Sequence, residues 1–362
     1  MPHDWEASKM RLLGTFLGSP DIDRVPFFPL ACEEMICRIS GKTYRELISS
    51  PKTYGNAAIK TYEFLKADTL AIPTAYAGPA EALAFAEANN KDGVISWSDY
   101  KVFMVKQGAI CKNKEDIERL EIPDHSKISL WDTCISAINF AREKTKFPPS
   151  CALGIWSVVQ QLRGTQAFRD MRKNPDLLLQ LCEKVYQSQM DLYNFFNERV
   201  GPSGTIFFTG YAFNKHMMSF EDAMKYEGQF IKRIQEKTKA RILLHNCGTT
   251  PYFDEVCNNL DITAINGSHP LDIEYWVKFK ENHPNTTIIG ANIDVSRELL
   301  NGTPFDVEEK VKENIRNLAQ GGRYAVGPIC CLPWGVSLNN IMAIPKAIKK
   351  WGTYPLQSQV LY

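Results

Sequence analysis

Long apolar runs are missing from this sequence: stretches such as Ile242–Leu244 are far too short to cross a bilayer. Residues 1–10 lack the apolar core of a signal peptide. Charge of one sign never gathers either. The 42 basic and 41 acidic residues are spread along the chain and leave +1, which excludes a nucleic-acid track or a membrane-binding face. Linker-like and low-complexity segments are absent, and the 20 prolines and 22 glycines are scattered, nearly all singly, at expected element ends. Ten cysteines without a secretory signal read as free thiols of a reducing compartment, some of them available to a metal. The expectation is a cytoplasmic enzyme or binding protein.

What the 362 residues do contain is a repeated element type. Short β-prone runs recur at Val25–Leu30, Thr69–Ile72, Ala152–Ile155, Thr205–Phe208, Arg241–His245, Ile262–Ile265, Thr287–Gly290 and Tyr324–Val326. Several are apolar throughout, as parallel strands buried on both faces are, and most precede a segment with helical spacing. Ser50–Pro51, Thr250–Pro251 and Thr303–Pro304 each place an oxygen acceptor before a proline, the pattern of a helix start. Ser219 with Asp222 and Thr303 with Asp306 resemble capping boxes. Eight strand–helix repeats predict an α/β chain closed as a single (β/α)8 barrel over 1–362, a size such barrels reach. Residues 1–22 form a helical extension in this reading. Residues 93–146, with a small hairpin in Gly93–Lys106 and helix in Asn113–Lys146, form a covering insertion.

The most informative segment is Arg241–Gly248, an apolar strand ending in His245-Asn246-Cys247-Gly248. Residues i and i+2 of a strand share a side, so an imidazole and a thiol leave together at the C-terminal rim, where barrel enzymes keep their active sites. Zinc favours that nitrogen–sulfur pair, although a buried Cys beside a hydrogen-bonded His has the same spacing. A second strand, Tyr324–Val326, runs into Cys330-Cys331. Either thiol would complete a His-Cys-Cys set, three protein ligands with an open position, which is the make-up of a catalytic zinc.

From Asp23 to Tyr354 the sequence resembles the uroporphyrinogen decarboxylase superfamily, and within it the cobalamin-linked methyltransferases. The resemblance rests on Gly290–Asp294, Leu299–Pro304, Gly327–Cys330, Leu332–Pro333 and Val336–Ile341, and is visible in Asp23–Pro26 and Leu162–Gly164. It implies a zinc site of His245, Cys247 and Cys330. Where those relatives have an acidic fourth contact, it puts His269 or Asn266. The decarboxylase branch carries an Arg-rich segment after the first strand. Here Leu30–Ile36 stands there, with Glu33, Glu34 and only Arg38 beyond, a poor partner for a substrate dense in carboxylates. Decarboxylation of a porphyrinogen is therefore not expected.

What the resemblance implies is methyl transfer between a corrinoid such as methylcobalamin and a small substrate such as a thiol. The alternative is the reverse direction, with a methyl ether or methanol as donor. A non-catalytic barrel binding a corrinoid or porphyrin is a further alternative. None of His3, His125, His216, His245, His269 and His283 lies in an Asp-x-His-x-x-Gly cobalamin motif, so the corrinoid would come free or on a partner protein. Glu33, Tyr211 and Asn214, at strand ends, are the candidates to meet corrinoid or substrate. The resemblance is compatible with a monomer or a homodimer.

Overall fold

The computed structural model describes residues 2–19, 21–72, 77–99, 103–269 and 272–356, with the side chains of 77, 268 and 269 outside the description. Six parallel strands pair in sequence order: β1 (Cys151–Leu153), β2 (Thr205–Thr209), β3 (Arg241–Thr249), β4 (Ile262–His269), β5 (Thr287–Ile289) and β6 (Tyr324–Ala325). Each lies within a residue or two of the expected run, apart from β3 and β4, which extend four residues further toward the rim. Their apolar residues are buried on both faces, as the uniform hydrophobicity requires.

The two earliest expected strands are extended segments with few pairings. Phe27 bridges Val326 in parallel, Phe28 N–H donates to Val326 O at 2.8 Å, and Asp68 N–H donates to Phe27 O at 2.8 Å. The cause is local: Pro26 and Pro29 remove two N–H donors from the first run. These contacts continue the sheet past β6 toward the second segment, in the strand order of a (β/α)8 barrel. Among the described residues no ladder joins 69–72 to β1.

Barrel-facing side chains include Phe28, Leu30, Leu243, Ala264, Ile289 and Ala325, one cluster with Leu12. Helix α1 (Trp5–Leu17) closes the N-terminal end of the barrel by adding Trp5, Leu12 and Phe16 to that cluster. It starts on Asp4, whose side chain accepts from Ala7 N–H, and stops at Gly18 in the left-handed region, φ 69°. Arg11 of α1 and Arg24 both reach Asp68, at 3.0 and 2.7 Å, and Asp68 also accepts from Phe27 N–H. This fully buried carboxylate fastens the extension to the first two segments.

Ser50 and Thr303 cap helices Pro51–Leu65 and Pro304–Leu318 as the sequence predicts. Thr250–Pro251 does not start a helix: Pro251 bridges Asn214 and the helix begins at Phe253. The small hairpin is the antiparallel pair Ile95–Ser96 and Met104–Val105. The long helix of the expected covering insertion, Ser129–Thr145, packs in the outer layer against Pro51–Leu65, not over the mouth. Its buried stripe of Leu130, Trp131, Cys134, Ile135 and Ile138 accounts for that placement. No helix among the described residues is long and apolar enough to cross a membrane.

Candidate metal centre

His245 and Cys247 leave β3 on one side, and the loop after β6 brings Cys330 to them. Cys247 Sγ is 2.7 Å from His245 Nε2 and 3.4 Å from Cys330 Sγ, and Cys330 Sγ is 4.0 Å from Nε2. A tetrahedral zinc with Zn–S of about 2.3 Å and Zn–N of about 2.0–2.1 Å spaces its donors by roughly 3.5–3.8 Å. The three edges bracket that spacing, so a small rotation of the Cys247 side chain admits the ion. Among the described residues this is the one group of three or more His, Cys, Asp or Glu side chains with metal-ligand spacing.

The imidazole is oriented from behind. Asn266 of β4, buried and paired with His245 in the sheet, donates its amide nitrogen to the carbonyls of Ile289 (2.9 Å) and Pro328 (3.1 Å). Its Oδ1 must then face His245 Nδ1, 2.7 Å away, and accept from it. The proton is thereby held on Nδ1, and the Nε2 lone pair points at the two thiols, the tautomer that metal ligation requires. Asn266 sits behind the ring and does not approach as a fourth ligand. Phe207 stacks on the other side, with ring centroids 5.6 Å apart.

Adjacent residues turn opposite ways after β6. Cys330 joins the cluster, whereas Cys331 faces Cys32, with the two sulfurs 2.7 Å apart. Hydrogen bonds from the Cys247 and Cys331 thiols, with His245 beside it, draw the Cys330 thiol well below the usual range. The pairing with Cys330 and burial push Cys247 up.

The other expected contact residues divide. Tyr211 hydrogen-bonds Cys247, and burial raises its phenol far above the ordinary value. Asn214 is not presented to a ligand: it is buried, its Oδ1 accepts from His216 N–H at 2.9 Å, and it packs on Gly248. Glu33 is fully buried at the start of α2 (Glu33–Ser40), its charge felt by Tyr44, Tyr54 and Cys134 in the interior, so it does not line the mouth. His269 ends β4 opposite Thr249 in the sheet register, and its side chain lies outside the described residues. Asp294 holds its own loop, accepting from Ser296 and Arg297 N–H.

One supporting residue is absent from the expected set. Glu227, in a π-helical turn, is fully buried and accepts from Trp156 N–H (3.1 Å) and Ala212 N–H (3.0 Å), tying the loop after β1 to the Tyr211 loop. At helical spacing Glu227 falls on the apolar stripe of Phe220, Met224, Ile231 and Ile234, and an acidic residue on that face is the mark of a buried, partnered carboxylate.

A family model described as Uroporphyrinogen decarboxylase (URO-D) matches residues 8–351. A methyltransferase from Methanosarcina mazei superposes with a TM-score of 0.77 at 19% identity, covering 95% of this chain and 98% of that one. A search of curated proteins returns no match.

Two outcomes follow from this geometry. Replacing Asn266 by alanine frees the ring, and zinc affinity in chelator competition should fall about 10- to 100-fold; unchanged affinity would mean that the Asn266 bond does not set the ligand. Burial raises Glu227 from 4.5 to about 8. The folded chain therefore keeps a proton that the unfolded chain releases, and this contribution is present below the unfolded value and lost as pH rises through about 8. Glu227→Gln should flatten the decline of urea stability over that window, and an unaltered slope would show the carboxylate ionised throughout.

Proposed function

Because the chain belongs to the uroporphyrinogen decarboxylase (URO-D) family yet gathers His245, Cys247 and Cys330 at its rim, we propose that it is a zinc-dependent methyltransferase acting between a corrinoid and a small thiol. The observation that carries this reading is the donor set. Two thiolates and one neutral imidazole balance the charge of Zn²⁺, which suits the site to an incoming thiolate more than to activating water. When bound, zinc would supply a Lewis acid that lowers the thiol pKa and fixes the sulfur. The corrinoid, free or on a partner protein, would supply the methyl carrier.

The chain's own residues contribute orientation and dryness. Asn266 keeps Nε2 of His245 unprotonated, Tyr211 restrains Cys247, and Phe207 shields the imidazole from water. His269 is the proposed fourth contact, one that substrate would displace. The fold shared with the Methanosarcina mazei methyltransferase supports the reading.

Decarboxylation is disfavoured by the same rim. Arg38, the one cation near the end of the first segment, donates to the carbonyls of Trp334 and Val336. Glu34 accepts from Trp334 N–H. A polyacidic substrate would meet a committed cation and the Glu34 carboxylate.

Purified protein should carry roughly one zinc per chain and demethylate methylcobalamin with small thiols, followed optically. Cys247→Ala should lose zinc and turnover together while circular dichroism is unchanged. Stoichiometric zinc in that variant would remove Cys247 from the ligand set. Zinc without thiol turnover would point to the reverse direction, assayed with reduced corrinoid and methyl ethers or methanol.

A further inference from the structure

A (β/α)8 barrel ordinarily fills its interior with layers of side chains. This one does not. A cavity of about 330 Å³ lies inside it, below the metal centre. Its wall is built from alternate, inward-facing residues of two strands, Thr205, Phe207 and Thr209 of β2 and Arg241, Leu243 and His245 of β3. His245 is common to chamber and cluster: its ring forms part of the wall while Nε2 faces Cys247. Cys331, next to the ligand Cys330, lines it as well.

The remaining wall is mostly aliphatic and aromatic and, among the described residues, includes no Asp or Glu. Its cations, Lys9, Arg142 and Arg241, are accounted for without a ligand or stand outside: Lys9 pairs with Glu6, Arg142 donates to Val200 O, and Arg241 is exposed at the foot of β3. The cavity runs sideways between residues 69–72 and β1, which no strand ladder joins among the described residues, to Trp131, Ile135, Leu192 and Phe196. It therefore leads away from the C-terminal rim.

Displacement at a methyl carbon places the incoming and departing atoms on opposite sides of it. A corrinoid is too broad for the barrel interior and has only the rim to approach. The other partner is best served from the opposite side, and the chamber lies there. We propose that this chamber is the binding site of the small substrate, an uncharged and largely apolar molecule of about one ring in size that enters from the side of the barrel while the corrinoid takes the rim. A dry cavity of about 150 Å³ already accepts benzene, so the volume suits a singly substituted ring or a short alkyl chain. With no carboxylate in the wall, a cationic substrate would lose its hydration without gaining a counter-charge. This assignment rests on the methyltransferase reading for the role of the ligand, though not for its binding.

The test uses the full-length protein and three probes: phenylmethanethiol and 2-mercaptoethylamine as acceptors, and methoxybenzene as a non-thiol occupant. Phenylmethanethiol, uncharged at neutral pH and the less acidic thiol of the two, should exceed 2-mercaptoethylamine in kcat/KM by about tenfold or more, the scale on which apolar pockets discriminate. Leu243→Trp, which fills the chamber without touching the cluster, should raise KM for phenylmethanethiol and abolish methoxybenzene binding in calorimetry, with zinc content unchanged. Ala152→Leu fills the same space from β1 and serves where the first variant fails to fold. Turnover with no apolar preference, or unchanged phenylmethanethiol KM in a folded, filled variant, would overturn the chamber as substrate site. Methoxybenzene binding that is lost on filling, in a protein with no methyl transfer at all, would uphold the chamber as an apolar ligand site and strike down the functional reading.

Discussion

Everything at the rim depends on one amide. Asn266 spends its two N–H bonds on the carbonyls of Ile289 and Pro328, and the remaining oxygen has no choice but to hold His245 Nδ1. That side chain links β4 to β5, to the loop after β6 and to the ligand strand β3. The distances among His245, Cys247 and Cys330 are therefore a property of the sheet, more than of three independent loops. A buried, satisfied amide in a low-dielectric interior is a stiff fixture, since moving it would strand several polar groups.

The close approach of these strands explains two glycines. At Gly248 a Cβ would come within 1.6 Å of Asn214 Nδ2, and at Gly267, with φ 111°, within 2.0 Å of Asn246 O. Both flank the register irregularity between Asn246 and Thr249 that turns Cys247 toward the centre. Asn246 completes the arrangement, donating to Phe213 O and accepting from Gly248 N–H. The ligand strand and the Tyr211 loop are thereby tied together from inside.

Much of this was legible beforehand. Apolar runs located the six regular strands because parallel strands buried on both faces leave that trace. The i, i+2 rule placed His245 with Cys247. What stayed hidden depended on tertiary context. Pro26 and Pro29 were counted as strand residues, although each lacks a donor. Nothing in Cys330-Cys331 says which thiol turns toward His245. Glu33 and Asn214 sit at strand ends, where polar residues are expected to serve ligands, yet burial and backbone partners claim them. Glu227 falls on the apolar stripe of its helix, which marks it as buried, but nothing in the sequence names its partners, the Trp156 and Ala212 amides. The chamber was invisible because missing volume has no sequence signature: Leu243, Phe207 and Leu30, which line it, read as ordinary core residues.

The central claim is a zinc centre of one imidazole and two thiolates. X-ray absorption at the zinc edge of the metal-loaded protein tests it directly. Two sulfur scatterers at about 2.3 Å with nitrogen or oxygen at about 2.0–2.1 Å are predicted. A shell of nitrogen and oxygen alone, or of four sulfurs drawing in Cys32 and Cys331, would contradict it.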